Sequence, residues 1–290
     1  MLKTEKNKND NLVIEKIKNT LIKASSSFRP DKIKLLKDRV KEEKNGLLKW
    51  VLESIIENEK IAKKNKTPLC DDTGIPHILL EVGPNSKFDY RLLENIEKGI
   101  SKGLEELPGR PMAVRGNDIQ RIEQSQGLYH KSSDLKLAPI GIKKMKKDGL
   151  KINILMQGGG PEIRATTKRV FHQRKISIII DEIITLSKDE IKRLGCTPCT
   201  LAIGIGRTHY EANSLMLEAM IRGRFNKQNK IEKEITKRLN ESNIGPLGLS
   251  GGNTVLATFL CVGPQRASGV RIVSLRPCCI IEPRVASCFL

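Results

Sequence analysis

Aromatic side chains are scarce in this chain: one Trp, three Tyr and six Phe among 290 residues, or 3%. Proteins that grip nucleic-acid strands by base stacking need exposed aromatic faces. So low a content argues against that mode, despite a formal net charge of +19. The lysines behind the charge are dispersed among acids, as in KLLKDRVKEEKNGLLKW, and no helix-turn-helix, zinc-finger or single-strand-binding signature is present. Nucleic acid is therefore not expected as a partner. A basic surface suits anionic small molecules instead.

Long apolar runs are missing too. None approaches the roughly 18 or more residues of a membrane span, so no membrane partner is expected. The N-terminal MLKTEKNKNDNLVIEKIKNTL is too charged for a secretory signal. A cytoplasmic protein is the expectation. The seven cysteines are odd in number, and without an export signal they do not read as a disulfide framework. Nor does a second C-x-x-C accompany Cys196-x-x-Cys199. That removes the four-thiolate zinc ribbon, since the adjacent Cys278 and Cys279 are poorly placed to share one tetrahedral ion. A thioredoxin-like dithiol belongs at a helix start, whereas the strand-like CTLAIGIG follows here. Cys261, inside TVLATFLCVG, reads as buried packing.

Among what is present, apolar periodicity comes first. Residues 9–66 are helical in pattern, with Leu47, Leu48, Val51, Leu52, Ile55, Ile56 and Ile61 mostly three and four apart. Asp31 is placed to cap the helix beginning near Pro30. TPLCDDTG breaks this pattern, and IPHILLEVG reads as a strand. Residues 90–106 return to helix. The stretch 116–150 has a weak pattern. KINILMQGGGP is a strand entering a glycine-rich turn, and EIRATTKRVF fits loop or helix. DEIITLSKDEIKRLG is helical, CTLAIGIG a strand, and HYEANSLMLEAMIRGRF a helix with Ala212, Leu215, Met216 and Ala219 on one face. IEKEITKRLNESN is helical, and VLATFLCVG and GVRIVSL are strands. The expectation is a mixed α+β fold: a helical N-terminal region, residues 1–66, packed on a main domain of residues 67–290 whose mixed sheet is flanked by helices, the whole forming one continuous domain over 10–290.

GGGPE lacks the Gly-Lys-Ser/Thr of a phosphate loop, and His209 stands where a dinucleotide fingerprint wants its third glycine. These glycines read as tight turns and close backbone approach. PLCDDTG admits two readings: a helix-to-strand turn with local Asp and Thr hydrogen bonds, or a thiolate ligand, Cys70, beside proton-moving carboxylates.

Taken together and in order, four segments resemble class I, iron–sulfur-dependent fumarate hydratases and the related L-tartrate dehydratases, alpha subunit. PLCDDTG is similar to the P-L-C-Q-D-T-G of that family. CTPCTLAIGIGRTHYEANSLMLEA resembles its C-P-P-x-x-x-G-x-G-I-G-G-T stretch and the following helix. IGPLGLSGGNTVLA is similar to G-P-Q-G-x-G-G-x-T-T-A, and RIVSLRPCCIIEPR ends a strand at a cysteine as V-x-V-x-x-Q-C does, with an Arg a few residues on. The resemblance spans roughly residues 10–290.

It implies that Cys70, Cys196 and Cys278 hold a [4Fe–4S] cluster, with Cys279 the alternative third ligand and Cys288 a more distant candidate. Cys199 would then be an extra thiol. Three thiolates would leave one iron open to act as a Lewis acid on a small dicarboxylate. Asp72 matches the family's acid/base Asp, and Asp71 stands where Gln is usual. Arg110, in GRPM, resembles an Arg that contacts a substrate carboxylate, a task that suits a bidentate fork. QGGGPEIRA keeps the glycines and Glu162 of K-G-G-G-S-E-N-K but carries Gln157, Pro161, Ile163 and Arg164 at its other positions. Arg207 replaces the glycine after G-I-G. The match is thus closer at the iron ligands than in the substrate pocket. The chain ends just after the third cysteine, which implies a hetero- or homo-oligomer containing a beta-type subunit that carries the remaining catalytic groups. An iron–sulfur protein of the same fold with a sensing or cluster- or sulfur-handling role and no hydratase activity is the alternative that the extra thiols leave open.

Overall fold

The computed structural model describes residues 2–290, with side chains from residue 9 onward. Three helices come first, α1 (Leu2–Ser26), α2 (Pro30–Glu42) and α3 (Gly46–Asn65). They are followed by β1 (Ile75–Val82), α4 (Tyr90–Glu106), α5 (Asp118–Glu123), β2 (Gly141–Lys144) and β3 (Leu150–Gln157). Next come α6 (Gly159–Glu162), β4 (Thr166–Phe171), α7 (Ile176–Leu194), β5 (Cys199–Gly206) and α8 (His209–Arg222). The chain closes with α9 (Lys230–Asn240), β6 (Val255–Val262), β7 (Val270–Cys278) and β8 (Arg284–Phe289). The fold is α+β, as expected. None of the described helices is long and apolar enough to cross a membrane.

The chain packs as two units, each assembled from separated segments. The first comprises Met1–Ser27, Glu59–Gly158 and Arg284–Leu290. Its sheet has the order β2-β1-β3-β8, with β1 parallel to β2 and antiparallel to β3, and β3 antiparallel to β8. Helices α1 and α4 cover one face through residues three and four apart: Ile17, Leu21 and Ala24 on one, Leu92, Ile96, Ile100 and Leu104 on the other. They meet Ile78, Leu80, Ile152, Ile154 and Met156 from the sheet. Each fully buried Leu or Ile contributes about 1.5–3 kcal/mol relative to exposure.

The second unit comprises Phe28–Asn58 and Gly159–Pro283. Its sheet runs β4-β7-β5-β6, with β5 parallel to β6 and the other pairs antiparallel. Strand β5 explains the glycine spacing seen in the sequence. Its residues Leu201, Ile203 and Ile205 join the core formed with Ile183 and Ile191 of α7 and Ile235 and Leu239 of α9. The alternate residues, Ala202, Gly204 and Gly206, point to the opposite face, where α8 lies directly on the strand. A Cβ on Gly204 would overlap the carbonyl oxygen of Ala212, and one on Gly206 would come within 2.7 Å of the Ala212 nitrogen. G-I-G here is a helix seat, not a phosphate loop.

Several local expectations change. EIRATTKRVF contains an edge strand, β4, whose Thr166, Thr167, Val170 and Phe171 are strand formers paired with β7. The weakly patterned 116–150 holds β2, only four residues long, and β8, six residues long, lies at the C-terminal end. Short edge strands carry little periodicity. Asp31 does not cap α2; the N-cap is Arg29, and the Asp31 carboxylate accepts from the Arg29 guanidinium and from the Phe225 N–H. Cys261 is half-buried rather than buried, because it lies near the C-terminal end of β6, where burial falls off.

Gly204→Ala tests the helix seat. The new methyl meets backbone, which cannot rotate away, so stability should fall by about 3 kcal/mol or more in denaturant unfolding. A loss below about 1 kcal/mol, the range of an accommodated Gly→Ala change, would contradict the close approach.

Candidate functional site

In the first unit, the PLCDDTG segment forms the loop between α3 and β1. Cys70 is half-buried, and its thiol donates to Asp71 Oδ1 at 3.4 Å. The same oxygen accepts the Asp72 backbone N–H at 2.9 Å. Burial pushes the Cys70 thiol up from its ordinary pKa. The hydrogen bond from Cys70 comes first among the causes that hold the Asp71 carboxyl below its usual range; the Asp72 N–H and the Arg110 guanidinium follow. Arg110 Nη1 stands 3.7 Å from Asp71 Oδ2, with both side chains largely exposed, so this pair adds little stability and is free to exchange partners. Thus Cys70, Asp71, Asp72 and Arg110 are brought to one edge.

What holds the loop is a residue whose role the sequence does not reveal. Arg284, at the start of β8, is 1% exposed. Its Nη1 donates to the carbonyls of Asp72 at 2.8 Å and Thr73 at 2.9 Å. The loop closes over it only because glycines adjoin. A Cβ on Gly74, where φ is +83°, would stand 2.5 Å from Arg284 Nη2, and one on Gly158 would stand 2.7 Å from Asp72 Oδ2. The first glycine of GGG is therefore needed for room beside the Asp72 carboxylate. Thr73 Oγ1 and Gln157 Oε1 are buried here without a hydrogen-bond partner among the described residues. Cys288 lies elsewhere in this unit, on β8 opposite Ile152, half-buried at the core margin.

In the second unit, Cys196 is exposed in the turn before β5, while Cys199 is wholly buried at the strand's first residue. The GPLGLSGG loop fixes this turn: Thr197 Oγ1 donates to the Gly245 carbonyl at 2.5 Å, and the Leu247 N–H donates to the Thr197 carbonyl at 3.0 Å. Cys278 ends β7 with no exposure, and Cys279 follows half-buried. Burial pushes the Cys278 thiol up to about 12, although Arg276 works in the other direction.

Arg276 is itself fully buried. Its Nη1 donates to Glu282 Oε2 at 2.5 Å, its Nε to Glu162 Oε2 at 3.0 Å, and its Nη1 also reaches Cys278 Sγ at 3.5 Å. Glu162, the acid retained from GGGPE, is thereby held at the end of α6. Lys32, 1% exposed, donates to the carbonyls of Ile280 at 2.6 Å and Glu282 at 2.8 Å. Neither basic residue stands out from the many others in the sequence; the only available signal is Arg276 sitting inside an apolar strand pattern. Among the described residues, no three His, Cys, Asp or Glu side chains gather closely enough to hold a single metal ion.

A family model described as fumarate hydratase (Fumerase) matches residues 14–287. A protein of Methanocaldococcus jannaschii bearing the provisional name L(+)-tartrate dehydratase subunit alpha is 30% identical over 251 residues, covering 83% of this chain and 85% of its own length. The L(+)-tartrate dehydratase subunit alpha of Escherichia coli strain K12 is 22% identical over 86% of this chain and 80% of its own. A Geobacillus stearothermophilus protein provisionally named fumarate hydratase class I is 22% identical over 81% of this chain, which spans only 47% of it.

Arg284→Met should cost about 2–4 kcal/mol in denaturant unfolding, because it strands two buried carbonyls. Limited proteolysis should then cut first within residues 70–74. Unchanged stability would mean that the loop is held by other contacts. In thiol labelling of the metal-free folded chain, Cys196 should react at once and Cys199 only on unfolding. Equal rates would contradict the burial difference.

Proposed function

The chain belongs to the fumarate hydratase family, and from that premise we propose that it is the alpha-type subunit of an iron–sulfur-dependent hydro-lyase. Its substrate is a small dicarboxylate of the fumarate/malate or tartrate kind, to which water is reversibly added. The observation that carries the reading is the loop that presents Cys70, Asp71 and Asp72 beside Arg110, clamped by the buried Arg284.

The donor set suits a [4Fe–4S] cluster. Thiolates are its preferred ligands; no cysteine is tied in a disulfide, and Cys70 and Cys196 stand on loops. Each cluster thiolate binds a different iron, so cluster ligands stand farther apart than the ligands of one ion. Cys70, Cys196 and Cys278 (or Cys279) would hold three irons. A cluster held in this way would keep one iron without a protein ligand, and that iron would supply a Lewis acid for the departing hydroxide.

The chain's own residues do the rest. Arg110 offers a substrate carboxylate its guanidinium fork in exchange for the weak 3.7 Å pairing with Asp71. Asp71, held ionised by Cys70 and the Asp72 N–H, orients that fork. Asp72 takes and returns a proton at its carboxylate, which sits against Gly158 where no side chain can displace it. Glu162, fixed by Arg276, keeps a second carboxylate at the end of α6. The functional body runs over residues 10–290, with 1–66 as its helical N-terminal region. A beta-type subunit provides the other catalytic groups, in keeping with relatives named as alpha subunits. The cytoplasm, where thiols stay reduced, is the compartment that suits these free cysteines. Wholly buried, Cys199 favours this reading over one in which the spare thiol transfers sulfur.

The test is anaerobic co-purification with a beta partner, followed by iron and acid-labile sulfide analysis and assays on fumarate, malate and L-tartrate. About four irons and four sulfides per chain are expected, with turnover of one of these substrates. Asp72→Asn should lower kcat by about 10²–10⁴ while iron content stays the same. Protein without iron or sulfide would overturn the reading, and full activity in Asp72→Asn would remove that residue from its role.

A further inference from the structure

Cys278 is the last residue of β7 and Cys279 the first beyond it, so only Cys278 is held in the ladder. They cannot therefore be equivalent. Cys278 pairs across the ladder with Thr200, has no exposed surface, and its Sγ accepts a hydrogen bond from Arg276 at 3.5 Å. That guanidinium is in turn closed off by Glu282 and Glu162. Cys278 thus belongs to a packed interior and could reach a bound group only if that interior opened.

Cys279 needs no such opening. It is half-buried, in the turn after the strand, and its carbonyl accepts the Glu282 N–H at 2.9 Å. The residue after it, Ile280, donates its N–H to the carbonyl of Cys196 at 2.9 Å. One backbone hydrogen bond thereby sets the segment of Cys279 alongside the exposed Cys196. Lys32 fixes the same turn from beneath through the Ile280 and Glu282 carbonyls.

We propose that Cys279, not Cys278, is the thiolate this segment contributes beside Cys196, and that Cys278 is an interior thiol held by Arg276. The assignment rests on the iron–sulfur reading above. Arg276, Glu282 and Lys32 are then positioning residues for the turn that carries Cys279.

The experiment compares the wild-type full chain, purified anaerobically with its partner, with Cys279→Ala, Cys278→Ala and Cys196→Ala. Iron, acid-labile sulfide and visible absorption are measured on each, with circular dichroism as the check of folding. Cys279→Ala should match Cys196→Ala, with iron reduced several-fold or lost, while Cys278→Ala keeps the wild-type content and spectrum. A folded Cys278→Ala protein without cluster, or a Cys279→Ala protein with a full one, overturns the assignment. If Cys278→Ala does not fold, iodoacetamide footprinting of wild type before and after chelator treatment decides. Cys279 should be protected only while iron is bound, and Cys278 should be unreactive in both states; Cys278 becoming reactive on stripping overturns the proposal. Wild type lacking iron altogether would instead overturn the hydro-lyase reading beneath it.

Discussion

A guanidinium without access to water must find every partner inside the protein, and each of the two units is organised around one. Removing such a group from water costs several kcal/mol, which is recovered only where hydrogen bonds and opposite charge converge on it. Arg276 meets this demand through Glu282, wholly buried, and Glu162, which still sees solvent. The cost is largely offset by the facing carboxylate: burial opposes the charge, yet Glu282 raises the Arg276 pKa above its ordinary value. At Arg284 it is backbone that meets the guanidinium: Nη1 donates to the carbonyls of Asp72 and Thr73. In both cases some of the satisfying groups belong to a loop or turn, Glu282 after β7 and the Asp72 and Thr73 carbonyls before β1, so the burial of the cation constrains that segment's path.

This is how rigid sheets come to present chemistry on loops. The CDDTG loop has little apolar surface of its own to bury, and a free chain of Asp, Asp, Thr and Gly would sample many conformations. Anchored by Arg284 and shaped by the room that Gly74 and Gly158 leave, it holds Cys70 half-buried and its carboxylates outward. In the second unit, Arg276 and Lys32 fix the turn after β7, and the GPLGLSGG loop fixes the turn before β5. The thiols therefore stand on backbone held by buried hydrogen bonds, which lets a short, polar segment keep one geometry.

The basic character of the chain acquires a more limited meaning. Little of its surplus charge lies on the helices, whose Lys and Arg are nearly matched by Asp and Glu, and exposed pairs there, such as Arg39–Glu42, contribute little. The basic residues that matter most for the candidate site are Arg110, loosely paired at the edge, and Arg276, Arg284 and Lys32, which are buried. An anionic substrate would be drawn by the former and by the general field; the latter shape what it meets.

Much was legible beforehand. The helices α1 to α4 and α7 to α9 and the strands β1, β3, β5, β6 and β7 follow from apolar periods that local sterics impose, and the motif order identifies the family. The close-packed role of G-I-G could also be read from its glycine spacing, and Cys70, Asp71 and Asp72 stand out as candidates because a thiol beside two carboxylates is a local pattern. The short edge strands β2, β4 and β8 were not legible, since pairing to a neighbour, not their own alternation, makes them strands. Nor was the inequality of Cys278 and Cys279, or the pinning of their turn to Cys196. Burial and long-range hydrogen bonds exist only once distant segments meet. The amino-acid order determined which elements form and which residue types are at hand; tertiary structure alone decided which cations are buried, and so which thiols and carboxylates are left facing out.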